Sequence, residues 1–353
     1  MFSKKISTIL LVALLFVLFS GTALAQVSLE SGGASFPYPL YSTWMDVYTE
    51  NNDDVKIDYQ SIGSGGGIRG IIDKTFDFAG SDAPMKDEEL ESADGDIMHI
   101  PTVMGAVAVT YNLEGVDEQL NLKPETIADI YLGKIEKWND PEIQDANPDV
   151  ELPDKYIVVV RRSDGSGTTN AFTDFLSKVS GEWEEEVGFG KAVQWPVGMG
   201  AKGNEGVAGQ VSQNDGSIGY VELAYAIEND LSHAKVRNRD GNYVEASLES
   251  TTEAAAGAVE DMPDDMRVSI TWQPGENAWP IATFTYLLVY EEYEDEEMAG
   301  EMIDYIWWAL TEGDDYATEL LYSPIPENLE GMVKEKLESI TVDGEAVRPN
   351  LEH

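Results

Sequence analysis

The stretch that decides the fold reads Arg161-Arg162-Ser163-Asp164-Gly165-Ser166-Gly167-Thr168-Thr169. It follows an apolar, β-branched run at 157–160 and precedes a run with helical spacing at 171–176. This pattern predicts a strand that ends in a turn rich in glycine and hydroxyl groups and opens directly into a helix. The first N–H groups of a helix have no partners within the helix and lie at the positive end of its dipole. Hydroxyl groups and an arginine at that place form a site suited to a tetrahedral oxyanion.

Two further segments have the same design. Residues 32–37 contain glycines and Ser35 before a predicted amphipathic helix at 37–51. Residues 62–68 contain Ser64 and a predicted glycine turn at 64–67 before a predicted helix at 68–74. Any one of the three segments could be ordinary helix capping by a serine or threonine. Three such starts and an arginine in one chain favour convergence on a single anion.

The composition excludes several classes of partner and chemistry. The chain has 353 residues and a formal net charge of −44, which makes nucleic acid and anionic membranes poor partners. We interpret the acidic residues, which are densest at 291–297, as a surface adapted to high salt, where repulsion is screened. A calcium-binding patch is the alternative, although no EF-hand spacing supports it. The lack of cysteines excludes disulfides, thiol catalysis and cysteine-based metal sites.

Residues 1–25 have the pattern of a secretory signal peptide. They contain Lys4 and Lys5, an apolar run at 9–19 and small residues before Ala25. The apolar run is shorter than the roughly 20 residues of a membrane-spanning helix, and an uncleaved anchor is the alternative. We therefore expect export and a mature chain of about two domains of roughly 150 residues each.

Apolar runs and amphipathic stretches alternate along the mature chain, which predicts an α/β architecture. The predicted strands are 55–59, 76–80, 103–111, 157–160, 217–221 and 283–290. Beyond those at 37–51 and 68–74, the predicted helices are 127–132 and 301–310.

Two enzyme-like patterns receive little support. Residues 65–70 match the dinucleotide fingerprint G-x-G-x-x-G, with Asp87 about 20 residues beyond, but the next predicted strand is too close for a full crossover helix. No G-x-S-x-G elbow surrounds a serine, and His99 and His233 lie in no motif. A phosphate-ester hydrolase remains an alternative function, although the sequence has no His/Asp/Glu metal cluster to support it.

Six strings carry a resemblance to a known family, and they lie at 33–37, 59–67, 77–84, 131–141, 162–168 and 202–207. Through them the chain resembles the phosphate-binding proteins of the Pst ABC transporters, from about residue 29 to residue 326. The resemblance implies a two-lobed periplasmic-binding-protein fold of type II, hinged by two crossover strands. Lobe I would comprise residues 26–105 and 280–353, and lobe II residues 106–279.

The resemblance also implies a function and a location. The protein would bind inorganic phosphate between the lobes, outside the cytoplasm, in the periplasm or at the outer face of the cytoplasmic membrane. It would deliver phosphate to the permease subunits of an ABC transporter. It would act as a monomer, without a cofactor or metal, and it would not be an enzyme.

In lobe I the resemblance assigns four contacts with phosphate. Ser35, which stands where the family often has threonine, would donate its hydroxyl group. Phe36 would donate its backbone N–H, and Ser64 would donate both its hydroxyl group and its N–H. Asp82 would accept a proton from the ligand.

In lobe II the resemblance assigns the cationic side of the site. Arg162 would bind two phosphate oxygens, and Asp164 would orient the guanidinium group. Arg161 is expected at the rim or the surface. The remaining contacts would come from Ser166, Gly167 and Thr168.

Asp82 gives this site a chemical preference. Arginine, hydroxyl and N–H groups all offer hydrogen-bond donors to a ligand, and such donors bind phosphate and sulfate alike. A carboxylate repels an oxyanion unless the ligand carries a proton, which phosphate has near neutral pH and sulfate lacks. The residues therefore predict phosphate capture with sulfate rejected, and sulfate or arsenate binding is the alternative within the same class.

Overall fold

The computed structural model describes residues 26–260 and 262–347 as alternating strands and helices, which confirms the α/β prediction. The predicted signal peptide at 1–25 lies outside the described residues. Within the described part of the chain, no helix has both the length and the apolar character needed to cross a membrane.

The two longest strands, of 16 and 9 residues, pair with each other at the centre of the main sheet. The strands are β1 (Val27–Gly33), β2 (Val55–Ser61), β3 (Phe78–Ser81), β4 (Ile97–Asn112), β5 (Asn121–Leu122), β6 (Val158–Arg162), β7 (Met199–Ala201), β8 (Ser217–Glu222), β9 (Ser232–His233), β10 (Lys235–Arg237), β11 (Tyr243–Val244), β12 (Ala282–Tyr290), β13 (Glu292–Tyr293), β14 (Ser323–Pro324), β15 (Thr341–Val342) and β16 (Glu345–Ala346).

Helices connect most of these strands. They are α1 (Tyr38–Asn51), α2 (Ser64–Ile72), α3 (Asp87–Leu90), α4 (Pro124–Tyr131), α5 (Pro141–Ala146), α6 (Gly167–Val179), α7 (Gly181–Glu186), α8 (Gly203–Gln213), α9 (Leu223–Glu228), α10 (Leu248–Glu260), α11 (Glu296–Thr311), α12 (Asp314–Glu319) and α13 (Glu327–Glu338).

The main sheet runs in the order β2-β1-β3-β12-β4-β8-β6-β7, and β4 joins its two halves. The first part of β4, up to Ala106, pairs antiparallel with β12. From Val107 onward β4 pairs with β8 instead. Strand β1 pairs in parallel with β2 and β3, and β6 pairs in parallel with β7 and β8.

The partner change in β4 coincides with a predicted domain boundary. It falls between Ala106 and Val107, one residue from the boundary expected at 105/106, and β12 begins at Ala282, close to 279/280. The division into lobes at 26–105 plus 280–353 and 106–279 itself stays a prediction.

Two local predictions need correction. Residues 64–67 are not a turn, because Ser64 begins α2 and the glycines form its first helical turn. The expected strand at 103–111 begins earlier, at Ile97, and includes Pro101. Its register with β12 shifts around Thr102, where an extra residue is accommodated as a bulge, so the ladder tolerates the missing proline N–H.

Candidate functional site

Three helix starts meet at one buried place. Ser35 precedes α1, Ser64 begins α2, and Ser166 precedes α6, and the three serines are at most 1% exposed. Only Ser166 caps its helix, accepting the N–H of Thr169 at 3.0 Å. Neither α1 nor α2 has a side-chain cap, so the hydroxyl groups of Ser35 and Ser64 serve other contacts.

Glycines allow the α2 and α6 segments to approach each other closely. The N–H of Gly65 donates to the carbonyl oxygen of Gly165 at 2.9 Å. Gly63 has a φ of 83°, and a Cβ there would lie 2.4 Å from Asp164 Oδ2. A Cβ on Gly167 would lie 2.6 Å from the side chains of both Asp82 and Ser64. Hence any larger residue at Gly63 or Gly167 would disturb the site.

Arg162, at the end of β6, is 2% exposed and is held by Asp164. Its Nε donates to Asp164 Oδ1 at 2.8 Å, and its Nη2 donates to Asp164 Oδ2 at 2.5 Å. Burial opposes ionisation of Asp164, but the bonds to Arg162 outweigh it and hold the pKa of Asp164 below its ordinary value. The pair therefore presents a fixed guanidinium group whose Nη1 faces Thr168 Oγ1 at 3.4 Å.

Asp82 is the one predicted acceptor, and it follows β3 directly. It is 2% exposed, and burial raises its pKa to about 7 against the opposing effects of Thr285 and Arg162. Thr285 Oγ1 donates to Asp82 Oδ1 at 3.0 Å. Asp82 Oδ2 lies 3.3 Å from Ser64 Oγ. One carboxylate oxygen is thus held by β12, and the other lies beside the serine of α2.

Ser64 connects the residues assigned to the two lobes. Its Oγ accepts the N–H of Asp82 at 3.2 Å and the N–H of Gly167 at 3.0 Å. Gly167 stands at the start of α6, so this single oxygen joins β3 and α6. The structure therefore places Asp82 and the Arg162 segment around a common site.

Ser35 and Thr168 are joined by Asn204, at the start of α8. Asn204 Nδ2 lies 3.0 Å from Ser35 Oγ and 3.2 Å from Thr168 Oγ1. The backbone N–H of Asn204 also donates to Ser35 Oγ at 3.1 Å. All three residues are at most 1% exposed.

The structure brings together most of the predicted set. Direct contacts link Ser64 with Asp82 and Gly167, link Arg162 with Asp164 and Thr168, and reach Ser35 through Asn204. Ser166 belongs to the same helix start, with its N–H donating to the carbonyl oxygen of Lys191 at 2.8 Å. Phe36 is fully buried beside Ser35, and its carbonyl oxygen accepts the Tyr322 hydroxyl at 2.7 Å.

Sequence reasoning missed two contributors. Asn204 lies in the string 202–207 that carried the resemblance, so a signal was present although no role was assigned to it. Thr285 lies inside the apolar strand β12 and has no local signal. Its contact with Asp82 depends on the pairing of β12 with β3, which only the fold reveals.

Glu222 extends the network away from the site. Its Oε2 accepts the N–H of Ala224 at 2.8 Å and lies 2.9 Å from Tyr322 Oη. Tyr322 must donate its single hydrogen to the carbonyl oxygen of Phe36, so the hydrogen between Tyr322 and Glu222 belongs to the carboxyl group. Burial raises the pKa of Glu222 well above its ordinary value, which agrees with a neutral carboxyl group.

The basic and histidine side chains near the site have local partners. Arg161 is half-buried, and its Nη1 donates to the carbonyl oxygen of Arg162 at 3.2 Å; the rim position stays a prediction. His99 Nε2 accepts the N–H of Met85 at 2.9 Å, which is a structural role. Among the described residues, no group of three or more His, Cys, Asp or Glu side chains could hold a metal ion.

Comparison with known proteins identifies the family of this chain. The model of a PBP superfamily domain matches residues 20–312. The phosphate-binding protein PstS of Pasteurella multocida is 46% identical, covering 91% of this chain and 92% of its own. The PstS of Haemophilus influenzae is 44% identical, covering 87% and 91%.

A solved structure supports the fold. The structure of a high-affinity periplasmic phosphate-binding protein (PfluDING) bound with phosphate superposes with a TM-score of 0.70 at 21% identity, covering 92% of this chain and 96% of its own. The family match and the relatives together lead to one conclusion: the chain belongs to the PBP superfamily and, within it, to the PstS family of phosphate-binding proteins.

Proposed function

We propose that this chain captures inorganic phosphate in the buried site and delivers it to the permease subunits of an ABC transporter. The observation that carries the proposal is one carboxylate, Asp82, set among donors that include Arg162, buried hydroxyl groups and three helix starts. Donors stabilise the phosphate oxygens, and the carboxylate accepts the ligand's proton.

Phosphate would touch the residues predicted from the sequence. From the segments that follow β1, β2 and β3, these are Ser35, Phe36, Ser64 and Asp82. From β6 and the start of α6, they are Arg162, Ser166, Gly167 and Thr168, with Asp164 orienting the arginine. Hydrogen bonds already link the two sets through Ser64, Gly167 and Asn204, which supports a site formed between the two sets.

The family consists of binding proteins rather than enzymes, so hydrolysis of phosphate esters is not the function proposed. The geometry supports this choice. The hydroxyl group of Ser166 caps α6, and His99 accepts a backbone N–H, so neither has the arrangement of a nucleophile and its base.

The location and assembly remain part of the proposal. The chain would be exported by residues 1–25 and act as a monomer in the periplasm or at the outer face of the cytoplasmic membrane. The relatives that cover most of this chain are named phosphate-binding proteins, and they support phosphate as the ligand of this proposal.

Equilibrium dialysis with radiolabelled phosphate tests the function. We expect one phosphate per chain, and we expect Arg162→Met to lose binding because the guanidinium group supplies the site's positive charge. Arg239→Met, at an exposed position, is the matched control and should bind as the wild type does. Absence of phosphate binding by the wild type, or hydrolysis of a chromogenic phosphate ester that Ser166→Ala abolishes, would overturn the proposal.

A further inference from the structure

We infer that Asn204 is a positioning residue that fixes the hydroxyl groups of Ser35 and Thr168 as donors to bound phosphate. The inference rests on the proposed function, because it concerns how the same site presents its donors. It follows from counting the donors and acceptors around three buried side chains.

The orientation of the Asn204 amide is set from outside the site. Its Oδ1 accepts the backbone N–H of Glu222 at 3.0 Å. A backbone N–H can only donate, so the amide oxygen must lie on that side and the amide nitrogen must face Ser35 and Thr168. The end of β8 therefore determines which atom Asn204 turns toward the site.

Asn204 then occupies the lone pairs of the Ser35 hydroxyl oxygen. Ser35 Oγ receives the backbone N–H of Asn204 at 3.1 Å and its Nδ2–H at 3.0 Å. A hydroxyl oxygen has two lone pairs and one hydrogen, so the hydrogen is the capacity that remains. Ser35 must therefore donate to its next partner, as a phosphate oxygen requires. The Tyr225 hydroxyl donates to the Ser35 carbonyl oxygen at 2.6 Å and holds the same residue in place.

The hydroxyl oxygen of Thr168 likewise accepts from two donors. This Oγ1 lies 3.2 Å from Asn204 Nδ2 and 3.4 Å from Arg162 Nη1, and both of these nitrogens only donate. The remaining hydrogen of Thr168 is then free for a phosphate oxygen. The Asn204 amide group thus orients two hydroxyl groups, from different helix starts, as donors toward the site.

This arrangement matters because donors that are already oriented need no reorganisation when the anion arrives. Without Asn204, each hydroxyl group could rotate and accept from other donors, and the site would lose fixed positive hydrogen atoms. Asn204 acts through these two hydroxyl groups, and its effect should depend on their presence.

A double-mutant cycle tests this dependence by measuring phosphate dissociation constants. We expect Asn204→Ala to weaken phosphate binding by about tenfold or more in the wild type. In a Ser35→Ala background, where one of its targets is missing, the same substitution should cost only about threefold or less. A purely structural role would give the same fold-change in both backgrounds, because it would not need the hydroxyl group.

Two further variants keep the test decisive. Thr168→Val replaces Ser35→Ala as the background if the latter does not fold. Asn238→Ala is the matched control, because Asn238 is 2% exposed but bonds to backbone carbonyl groups at 275 and 276. It should lower the melting temperature without changing phosphate affinity. Equal losses in both backgrounds, or no loss in the wild type, would overturn the inference and leave phosphate binding by the wild type intact.

Discussion

Asp82 shows how one side chain can give a donor-rich site its selectivity. Burial raises the pKa of Asp82 to about 7, so its charge depends on pH in the neutral range. A raised carboxyl pKa favours the protonated form below that value and the carboxylate above it. Above about pH 7 the carboxylate repels an oxyanion without a proton, and below it this repulsion disappears.

The first prediction follows from this pH dependence of the charge on Asp82. Sulfate should compete with phosphate poorly at about pH 8.5 and increasingly well as the pH falls below about 7, by up to about tenfold per pH unit. The reason is that protonated Asp82 supplies the hydrogen that sulfate lacks. Competition dialysis across this range measures the effect.

Asp82→Asn is the control for that experiment. Its amide does not titrate, so sulfate competition should be strong and nearly independent of pH. Wild-type protein that rejects sulfate equally at about pH 5.5 and about pH 8.5 would contradict the role of Asp82.

At the residue scale, sequence reasoning identified side chains that stand in glycine and hydroxyl motifs. Arg162, Ser64 and Asp82 lie in such strings, and the structure gathers them. Thr285 and the role of Asn204 could not be predicted, because the bond of Thr285 to Asp82 and the bonds of Asn204 to Ser35 join positions more than 150 residues apart in sequence.

At the element scale, the decisive features are the close helix starts of α2 and α6. The glycines of both helix starts were visible in the sequence, but those at 65–67 were assigned to a turn rather than to the first turn of α2. Glycine has low helix propensity, and only close packing on Gly165 and on the strands explains why these glycines are helical here.

The second prediction concerns Gly167. A Cβ there would meet Asp82 and Ser64 at 2.6 Å, so Gly167→Ala should weaken phosphate binding by about tenfold or more. Gly257→Ala is the matched control, since a Cβ at this exposed helical position meets nothing within 4 Å. It should leave binding unchanged and stabilise the fold by about 0.5–1 kcal/mol. Dialysis and urea unfolding measure both effects, and undiminished binding by Gly167→Ala would disprove the close packing.

The third prediction concerns Glu222, which ties the end of β8 to Tyr322 and Phe36. Because burial raises its pKa, the stability that its neutral form provides is present at low pH and is lost as the pH rises through the folded-state pKa. Glu222→Gln should therefore be about equal to the wild type below the ordinary glutamate pKa of 4.5 and increasingly more stable than it as the pH rises above that value. Urea unfolding at several pH values measures this difference. Parallel pH curves for the two proteins would mean that the fold does not raise the pKa of Glu222.

At the scale of the whole molecule, β4 unites the two groups of strands. Its partner changes at 106/107, one residue from the lobe boundary expected at 105/106, and the division into lobes stays a prediction. The contacts that bring the two groups together around the site could not be predicted. They include ion pairs of Lys191 with Glu89 at 2.6 Å and of Arg267 with Asp87 at 2.7 Å, which join distant segments.

The fourth prediction concerns closure. Ser64 and Asp82 belong to one group of strands and Arg162 to the other, so phosphate should favour the arrangement in which they meet. Small-angle scattering should give a smaller radius of gyration with phosphate than without it. Arg162→Met should remove the difference, and an unchanged wild-type radius would argue against a hinge.

The most direct measurement is calorimetric titration of the wild-type protein with phosphate and with sulfate at about pH 8 in concentrated salt, where the field of a chain with net charge −44 is screened. We predict one phosphate per chain and no measurable heat from sulfate. Equal affinity for the two anions, or no phosphate binding at all, would contradict a site that recognises its ligand by a single proton given to Asp82.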